Sequence, residues 1–282
     1  MAKFKESAMH LVFFLAAMAS IAAVALICIY LLGNGIPTIG EIGLENFFGT
    51  TWKPSKDLYG IFPFIIGSIY VTAGAIVVGV PTGILCAVYL AYFCPKRAYQ
   101  LLNPAVRLMA GIPSIVYGFF GLMVIVPVIQ KLTGTSGKGL LTASLLLGIM
   151  ILPTIIGTAE PALRAVPRSY YEGSLALGAT HERSAFSAVL PAAKSGVLSG
   201  VILGVGRAIG ETMAVIMIAG NQTRMPGGLL DGLRTMTSNI VLEMGYSTGL
   251  HRRALIATGV VLFVFILIIN TCFSLLKRKD DK

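Results

Sequence analysis

Charged residues are scarce in this sequence. Only 12% of its 282 residues are Asp, Glu, Lys or Arg, whereas a soluble domain carries about 25%. Hydrophobic residues make up 56% of the chain, and the mean hydropathy is +0.83. Most of the chain therefore prefers lipid to water, which excludes an ordinary soluble enzyme, a disordered protein and a small disulfide scaffold.

Cysteine and histidine are also rare. The four cysteines lie in or beside apolar runs without Cys-x-x-Cys spacing, so we expect buried thiols and neither disulfides nor a metal site. The three histidines are far apart in the sequence, which argues against a metal site or a nucleophilic triad. The nearest approach to a phosphate-binding loop, Gly137-Lys138-Gly139, lacks the following Ser or Thr. We therefore expect a chain that is not an enzyme and binds no cofactor or ATP.

Long apolar runs are abundant instead. A membrane-spanning helix needs about 20 mostly apolar residues, and six segments reach that length. The predicted spans are residues 11–32, 61–93, 108–129, 139–159, 195–220 and 254–276. The runs are continuous and not alternating, which favours helices over a β-barrel. The first run is longer than the apolar part of a secretory signal, so we interpret it as an uncleaved span. The sequence predicts an all-α polytopic membrane protein with six transmembrane helices.

The distribution of Lys and Arg predicts the orientation. More of the 22 basic residues fall on the side of the N-terminus than on the opposite side, which predicts that both termini are cytoplasmic. One transmembrane domain would then cover residues 11–276, between terminal segments 1–10 and 277–282. This topology accounts for most of the net charge of +10. Membrane lipid is the expected surrounding, and a nucleic-acid partner is not expected.

The fifth predicted span holds the only two charged residues within the six spans, Arg207 and Glu211. Four residues apart, they are expected on one face of a helix. Charges at that depth usually face a bundle interior or an aqueous pathway, and a guanidinium suits a phosphate-like oxyanion. We assign both residues and the adjacent Thr212 to a transport pathway, with Glu211 holding Arg207 when no anion is bound. A purely structural ion pair is the alternative.

Three further residues are candidates for the pathway. Ser114 and Tyr117 follow Pro113 in the third predicted span, where a proline frees a carbonyl group that a hydroxyl can satisfy. A local kink is the alternative for them. Arg234 stands beside a polar run in an outer loop and is either a pathway residue or a solvated charge. For Arg224, in the same loop, a solvated charge is the favoured interpretation.

The predicted cytoplasmic segment 160–194 carries apolar residues on a polar side of the membrane. Two short helices with a turn near Gly178 would present them outward, which indicates a docking surface for another protein. A helix lying on the lipid is the alternative. The residues assigned to this surface are Glu172, Gly173, Ser174, Leu175, Ala176, Leu177, Gly178, Ala179, Leu190 and Pro191.

The two signals together resemble the membrane subunits of bacterial ABC importers. The cytoplasmic signature of that family is Glu-Ala-Ala, three residues, Gly, nine residues, then Ile-x-Leu-Pro. Here Glu172, Gly178 and Leu190-Pro191 stand at the matching spacing, with Gly173-Ser174 in place of Ala-Ala and Ala188 in place of Ile. Residues 51–54, 60–70, 111–118, 206–212 and 234–239 are similar to the phosphate importer permeases, and to one of their two paralogous subunits more than to the other.

The resemblance implies an ABC importer type I permease fold with cytoplasmic coupling helices. It implies a bacterial inner-membrane permease subunit of an ATP-driven phosphate importer. The implied partners are a paralogous permease, two ATPase subunits that bind ATP and magnesium, and an extracytoplasmic phosphate-binding protein. Residues 172–191 would couple to the ATPases, and Arg207 and Glu211 would belong to the pathway helix. A permease for sulfate or molybdate and a stand-alone anion channel or carrier are the alternatives.

Overall fold

The computed structural model describes the backbone of residues 2–280 and the side chains of residue 6 and of residues 9–272, 274 and 275. The predicted terminal segments 1–10 and 277–282 therefore fall partly outside the described residues. The longer helices are α1 Ala2–Ile42, α3 Phe62–Val88, α4 Lys96–Gly111, α7 Leu140–Arg164, α11 Lys194–Gly210 and α14 Gly249–Asp280. The shorter ones are α2 Leu44–Phe47, α5 Ser114–Phe120, α6 Val126–Thr133, α8 Arg168–Ala176, α9 His181–Ser184, α10 Leu190–Ala192, α12 Met213–Ile218 and α13 Met236–Met244.

Five helical segments are long and apolar enough to cross a membrane. They are Met9–Ile42, Phe62–Phe93, Ser114–Thr133, Leu140–Arg164 and Gly249–Cys272. A bent pair, His181–Ala192 with Lys194–Gly210, brings the number to six if it is taken as one span. The predicted fold class, an all-α membrane protein with six spans, agrees with this arrangement.

Helix α7 is the centre of the bundle. It packs along both α3 and α11, and 67% of its most apolar stretch is buried. Small residues allow these close contacts: Gly79 of α3 faces Ile151, and Gly204 of α11 faces Ile155. A core of buried apolar side chains from α3, α5, α7 and α12 surrounds the middle of α7.

We expect Gly79→Ala to destabilise this contact. A Cβ there would lie 2.6 Å from the Ile151 side chain and 2.7 Å from the Gly148 carbonyl oxygen, and a backbone atom gives way poorly. The free energy of unfolding should fall by about 1–3 kcal/mol, measured by unfolding in detergent. Gly157→Ala on the same helix pair is the control, because a Cβ at Gly157 meets nothing within 4 Å. Equal loss in both variants would contradict the expected packing.

Helix α1 is longer than the predicted first span, since it continues to Ile42 despite Pro37. The extension packs on α14, where a Cβ at Gly35 would lie 2.3 Å from Val260. Glu41 and Arg253 join the two helices by a bidentate ion pair of 2.6 and 2.9 Å. The composition of this segment favours a loop, and contact with the neighbouring helix α14 keeps it helical.

A β-hairpin follows α2 at one end of the bundle. Strand β1, Trp52–Lys53, pairs antiparallel with β2, Leu58–Tyr59, so that Trp52 lies opposite Tyr59. These two aromatic side chains pack with Phe64 of α3 and with residues of α13 and α14 into a buried cluster. We call this end the hairpin end. Helix α7 starts at the hairpin end and runs to the opposite end of the bundle. Helices α8, α9 and α10 follow it in the chain and lie at that opposite end.

Two predicted spans are interrupted. The prediction of one span over 108–129 is wrong at Ile112, which is extended (φ −69°, ψ 126°) because the following Pro113 disfavours a helical conformation. The prediction of one helix over 195–220 is wrong at Glu211, where α11 ends and the backbone is extended (φ −68°, ψ 130°). Helix α12 starts two residues later. Both breaks lie next to predicted pathway residues.

Candidate functional site

Arg207 lies in the last turn of α11. Its Nη1 donates a hydrogen bond of 3.4 Å to Thr154 Oγ1 on α7, and the side chain is half-buried. Within the described part of the chain its guanidinium forms no ion pair. One weak contact to a neutral hydroxyl leaves most of its five N–H donors available for an anion.

Glu211 does not pair with Arg207. The prediction that both share a helix face is wrong, because α11 ends at Gly210. The carboxylate instead turns towards the next helix and accepts a hydrogen bond of 3.1 Å from the Ala214 backbone N–H. Thr212 Oγ1 donates to the Gly210 carbonyl (3.1 Å), so both side chains satisfy backbone groups freed by the break.

The two helix breaks are brought together by the packing of α5 against α12. A Cβ at Gly118 would lie 2.9 Å from Ala214 Cα, so these helices are in backbone contact. Tyr117 is buried and donates a 2.9 Å hydrogen bond to the Met109 carbonyl, across the first break. Ser114, the first residue of α5, is half-buried.

Arg234 lies apart from this group, at the hairpin end. Its Nε donates to the Asn221 carbonyl (3.2 Å), and its Nη1 donates to Asn239 Oδ1 (2.9 Å) and Glu243 Oε1 (2.5 Å). Glu243 is buried, and its other oxygen lies 2.9 Å from Trp52 Nε1 and 2.8 Å from a ring nitrogen of His251. Glu243 therefore joins the hairpin, α13, α14 and the loop before α13. No local sequence pattern marks Glu243, because its partners are remote in the chain.

We expect Glu243→Gln to destabilise the protein strongly. The change leaves the Arg234 charge in a largely buried position without its counter-ion, at a cost of about 3 kcal/mol in the free energy of unfolding. Glu41→Gln is the matched control, because its ion pair with Arg253 is about half exposed and should contribute at most about 1 kcal/mol. Thermal unfolding of both purified variants measures the difference, and equal shifts would contradict the assigned role of Glu243.

The predicted docking surface has the expected two helices and turn. Helices α8 and α9 are separated at Gly178, whose φ of +87° is readily adopted only by glycine. Leu177, beside the turn, is 92% exposed, and Glu172 is also exposed. Of the remaining assigned residues, Gly173, Ala176 and Pro191 are exposed, whereas Ser174, Leu175, Ala179 and Leu190 are half-buried. The fold thus presents a leucine to the outside on a rigid turn.

Side-chain contacts hold this turn together. The Tyr171 hydroxyl lies 2.8 Å from His181 Nδ1, and Ser184 Oγ donates to Ser174 Oγ at 3.0 Å. Burial, and secondly the Glu182 charge, raise the pKa of Tyr171, so its hydroxyl stays protonated at neutral pH. These bonds tie α8 to α9.

The turn is connected to α11, the helix that carries Arg207. Val189 and Ala193 belong to a buried apolar cluster with residues of α3, α7 and α11. The segment His181–Ala192 then meets α11 at a bend of 77°. Helix α11 rises about 25 Å over its 17 residues, so one helix joins this bend to Arg207.

A buried ionic contact beside the turn was not predicted. Glu160 of α7 is 7% exposed, pairs with Arg164 and accepts a hydrogen bond of 3.1 Å from the Tyr99 hydroxyl of α4. Arg164 Nη2 also donates to the Leu90 carbonyl (2.7 Å). The four-residue spacing of Glu160 and Arg164 was a usable signal, equal to that of Arg207 and Glu211. Arg164, Tyr171 and Glu172 line a cavity of about 410 Å³ here.

The chain is similar in sequence to known transport proteins. The sequence profile described as binding-protein-dependent transport system inner membrane component matches residues 79–279. The chain is 38% identical over 267 residues to a Bacillus subtilis protein named probable ABC transporter permease protein YqgH, covering 90% of this chain and 86% of that one. It is 35% identical over 242 residues to the phosphate transport system permease protein PstC of Xylella fastidiosa (strain Temecula1), covering 79% and 75%.

Solved structures share the fold. A bacterial alginate ABC transporter in complex with a pentasaccharide-bound periplasmic protein superimposes with a TM-score of 0.65 at 14% identity, covering 95% of this chain and 94% of that one. The MetNI methionine ABC transporter in an inward-facing conformation gives 0.57 at 22% identity, covering 82% and 99%. At this identity the likeness shows the fold alone.

Proposed function

The chain belongs to the binding-protein-dependent transport system inner membrane component family, and on that basis we propose that it is the permease subunit of a phosphate importer. Members of this family are multi-pass components of transporters and not enzymes, and they work with an ATPase and a substrate-binding protein. The choice of phosphate as the substrate rests on the similarity to phosphate permeases over most of the chain. One of these relatives, from Methanocaldococcus jannaschii, is 31% identical over 84% of this chain.

Arg207 is the proposed centre of the translocation pathway. A phosphate that leaves water loses hydration, and charge-assisted hydrogen bonds from a guanidinium replace it. Gly206 and Gly210, on either side of Arg207, are exposed and a Cβ there would meet nothing within 4 Å. This open face of α11 suits the approach of a paralogous, PstA-like permease, with the pathway between the two subunits.

The helix breaks supply the walls of the pathway. Irregular backbone at membrane depth is tolerated where it lines a water-filled cavity, and discontinuous helices are common at transport sites. Ser114 and Tyr117 follow one break, and Glu211 and Thr212 form the other. Glu211 has a structural part in this proposal. Its carboxylate accepts a hydrogen bond from the first turn of α12, and its extended backbone forms the break after the end of α11.

Coupling takes place at the turn between α8 and α9. Glu172 and the exposed Leu177 dock on one of two PstB-like ATPase subunits, and the other ATPase subunit binds the paralogous permease. ATP and magnesium belong to the ATPases, and this chain binds no cofactor. A PstS-like phosphate-binding protein docks at the hairpin end. Both termini are then cytoplasmic, as the basic residues predict.

Transport follows an alternating-access cycle. ATP binding brings the two ATPases together, and each moves the turn that it holds. The displacement passes through the 77° bend to α11, so that the hairpin ends of the pathway helices separate and phosphate enters from the binding protein. Binding at Arg207 is weak enough for release on the other side, and hydrolysis resets the complex.

The test is ATP-dependent uptake of labelled phosphate by liposomes that hold the permease pair, the ATPases and the binding protein. We expect uptake that needs ATP and resists excess sulfate and molybdate. Inhibition by either competitor would assign the chain to an importer of another oxyanion. Uptake without ATP or partners would contradict the importer and indicate a channel or carrier.

A further inference from the structure

An open cavity lies at the hairpin end, away from the coupling turn. It has a volume of about 480 Å³ and is lined by Asn221, Gln222, Thr223, Arg224 and Arg234. Two of these five residues are arginines and none is acidic. A cavity of this composition attracts anions, and it is open to solvent.

The arginine Arg234 is held so that one donor group is left for the cavity. Its Nε and Nη1 bond to Asn221, Asn239 and Glu243, whereas Nη2 makes no hydrogen bond within the described residues. Its side chain is 13% exposed and lines the cavity. A guanidinium fixed on one edge and free on the other loses little rotamer entropy when it binds an oxyanion.

The arginine Arg224 supplies charge that the protein does not neutralise. It is exposed, and its Nε donates to Gln222 Oε1 (2.7 Å), which orients the side chain along the loop. It forms no ion pair with any described carboxylate. Since Glu243 already compensates Arg234, Arg224 gives the cavity its net positive charge.

The neighbouring Asn221 adds a polar group that has no hydrogen-bond partner among the described residues. Its backbone is left-handed (φ 52°), and its Nδ2 donates to the Ile216 carbonyl (2.7 Å). Its Oδ1 is buried without a hydrogen-bond partner among the described residues. A free acceptor beside cationic donors suits an oxyanion that also carries an O–H group, as hydrogenphosphate does and sulfate does not.

We propose that this cavity is an outer binding site for a tetrahedral oxyanion with a protonated oxygen, ahead of Arg207 on the route into the membrane. The assignment of phosphate to it rests on the proposed function. The outer position lets the site hold the anion in exchange with water, because an exposed guanidinium is screened and releases its ligand readily.

The experiment measures equilibrium binding of labelled inorganic phosphate to the complete permease–ATPase complex in phosphatidylcholine nanodiscs, without binding protein. We expect Arg224→Gln to weaken binding about tenfold, the effect of one charge-assisted hydrogen bond. Arg252→Gln is the matched control: Arg252 is exposed at the same end but does not line the cavity. Arg224→Lys should restore part of the affinity. Arg207→Ala should leave this outer binding in place.

Four results would overturn the site. The first is that the wild-type complex binds neither phosphate nor sulfate, and the second is that Arg224→Gln and Arg252→Gln lose equal affinity. The third is loss of phosphate binding when the discs contain phosphatidylglycerol, and the fourth is loss of binding-protein docking in Arg224→Gln while phosphate binding stays intact. The third assigns the cavity to a lipid headgroup, and the fourth to a carboxylate of the docking protein. Arg224-dependent binding of sulfate but not phosphate would overturn the protonated-oxygen preference and the proposed substrate together, while leaving an oxyanion cavity.

Discussion

Replacing Arg207 with alanine is expected to abolish ATP-dependent uptake in the reconstituted complex, with a loss of about 100-fold or more. The guanidinium is the one positive charge in the fifth apolar segment, and two charge-assisted hydrogen bonds to phosphate contribute about 3 kcal/mol or more. Among the described residues its guanidinium makes a single hydrogen bond, of 3.4 Å, to Thr154. Its loss therefore removes ligand contacts and little of the fold.

Arg207→Lys separates charge from geometry. A lysine keeps the charge and loses the planar fork, so uptake should be intermediate. Thr154→Val should change uptake least, because the hydroxyl contact is long. Assembly with the ATPase is measured for each variant, so that a folding defect is recognised. Full uptake by an assembled Arg207→Ala complex would contradict the pathway assignment.

Replacing Leu177 with aspartate is expected to reduce ATPase association and phosphate uptake together, by about tenfold or more. Leu177 is 92% exposed, and a leucine that becomes buried at an interface contributes about 1.5–3 kcal/mol. The substitution costs the free subunit nothing in packing, since the side chain has few contacts to lose. Glu172→Lys, which reverses an exposed charge on α8, should act in the same direction.

The control for this surface is Leu229→Asp. Leu229 is 65% exposed in the loop at the hairpin end, far from the turn. Sedimentation of the ATPase with nanodisc-bound permease measures association. Unchanged association and uptake in both Leu177→Asp and Glu172→Lys would place the ATPase contact elsewhere. Equal loss in Leu229→Asp would point to a general folding defect.

The sequence predicted the positions of the membrane spans better than the helix breaks inside them. Apolar runs locate membrane helices because hydrophobicity is a local property, and five segments, or six with the bent pair, are found in the predicted order. Breaks inside a run escaped, although Pro113 was a local signal for one of them. The break at Glu211 has no such signal: the Ala214 N–H donates to the Glu211 carboxylate, and the Thr237 hydroxyl donates to the Glu211 carbonyl (3.2 Å).

The candidate site divides in the same way. Arg207 and the turn at Gly178 were predictable, because a charge in an apolar run and a family-like spacing are written in the chain itself. The contacts of Arg234 were not, since Glu243 and the loop at Asn221 meet it only through the fold. The spacing that suggested an Arg207–Glu211 pair was misleading for the same reason.

The sequence alone determined that this protein is a mainly helical membrane component with one cation inside an apolar segment and a turn near Gly178, because hydrophobicity and residue spacing act locally. Only the tertiary structure decided that Glu211 caps a helix, that Glu160 joins α4 to α7, and that two arginines line a cavity at the hairpin end. Such contacts depend on how helices pack, and no local pattern encodes the meeting of residues remote in the chain.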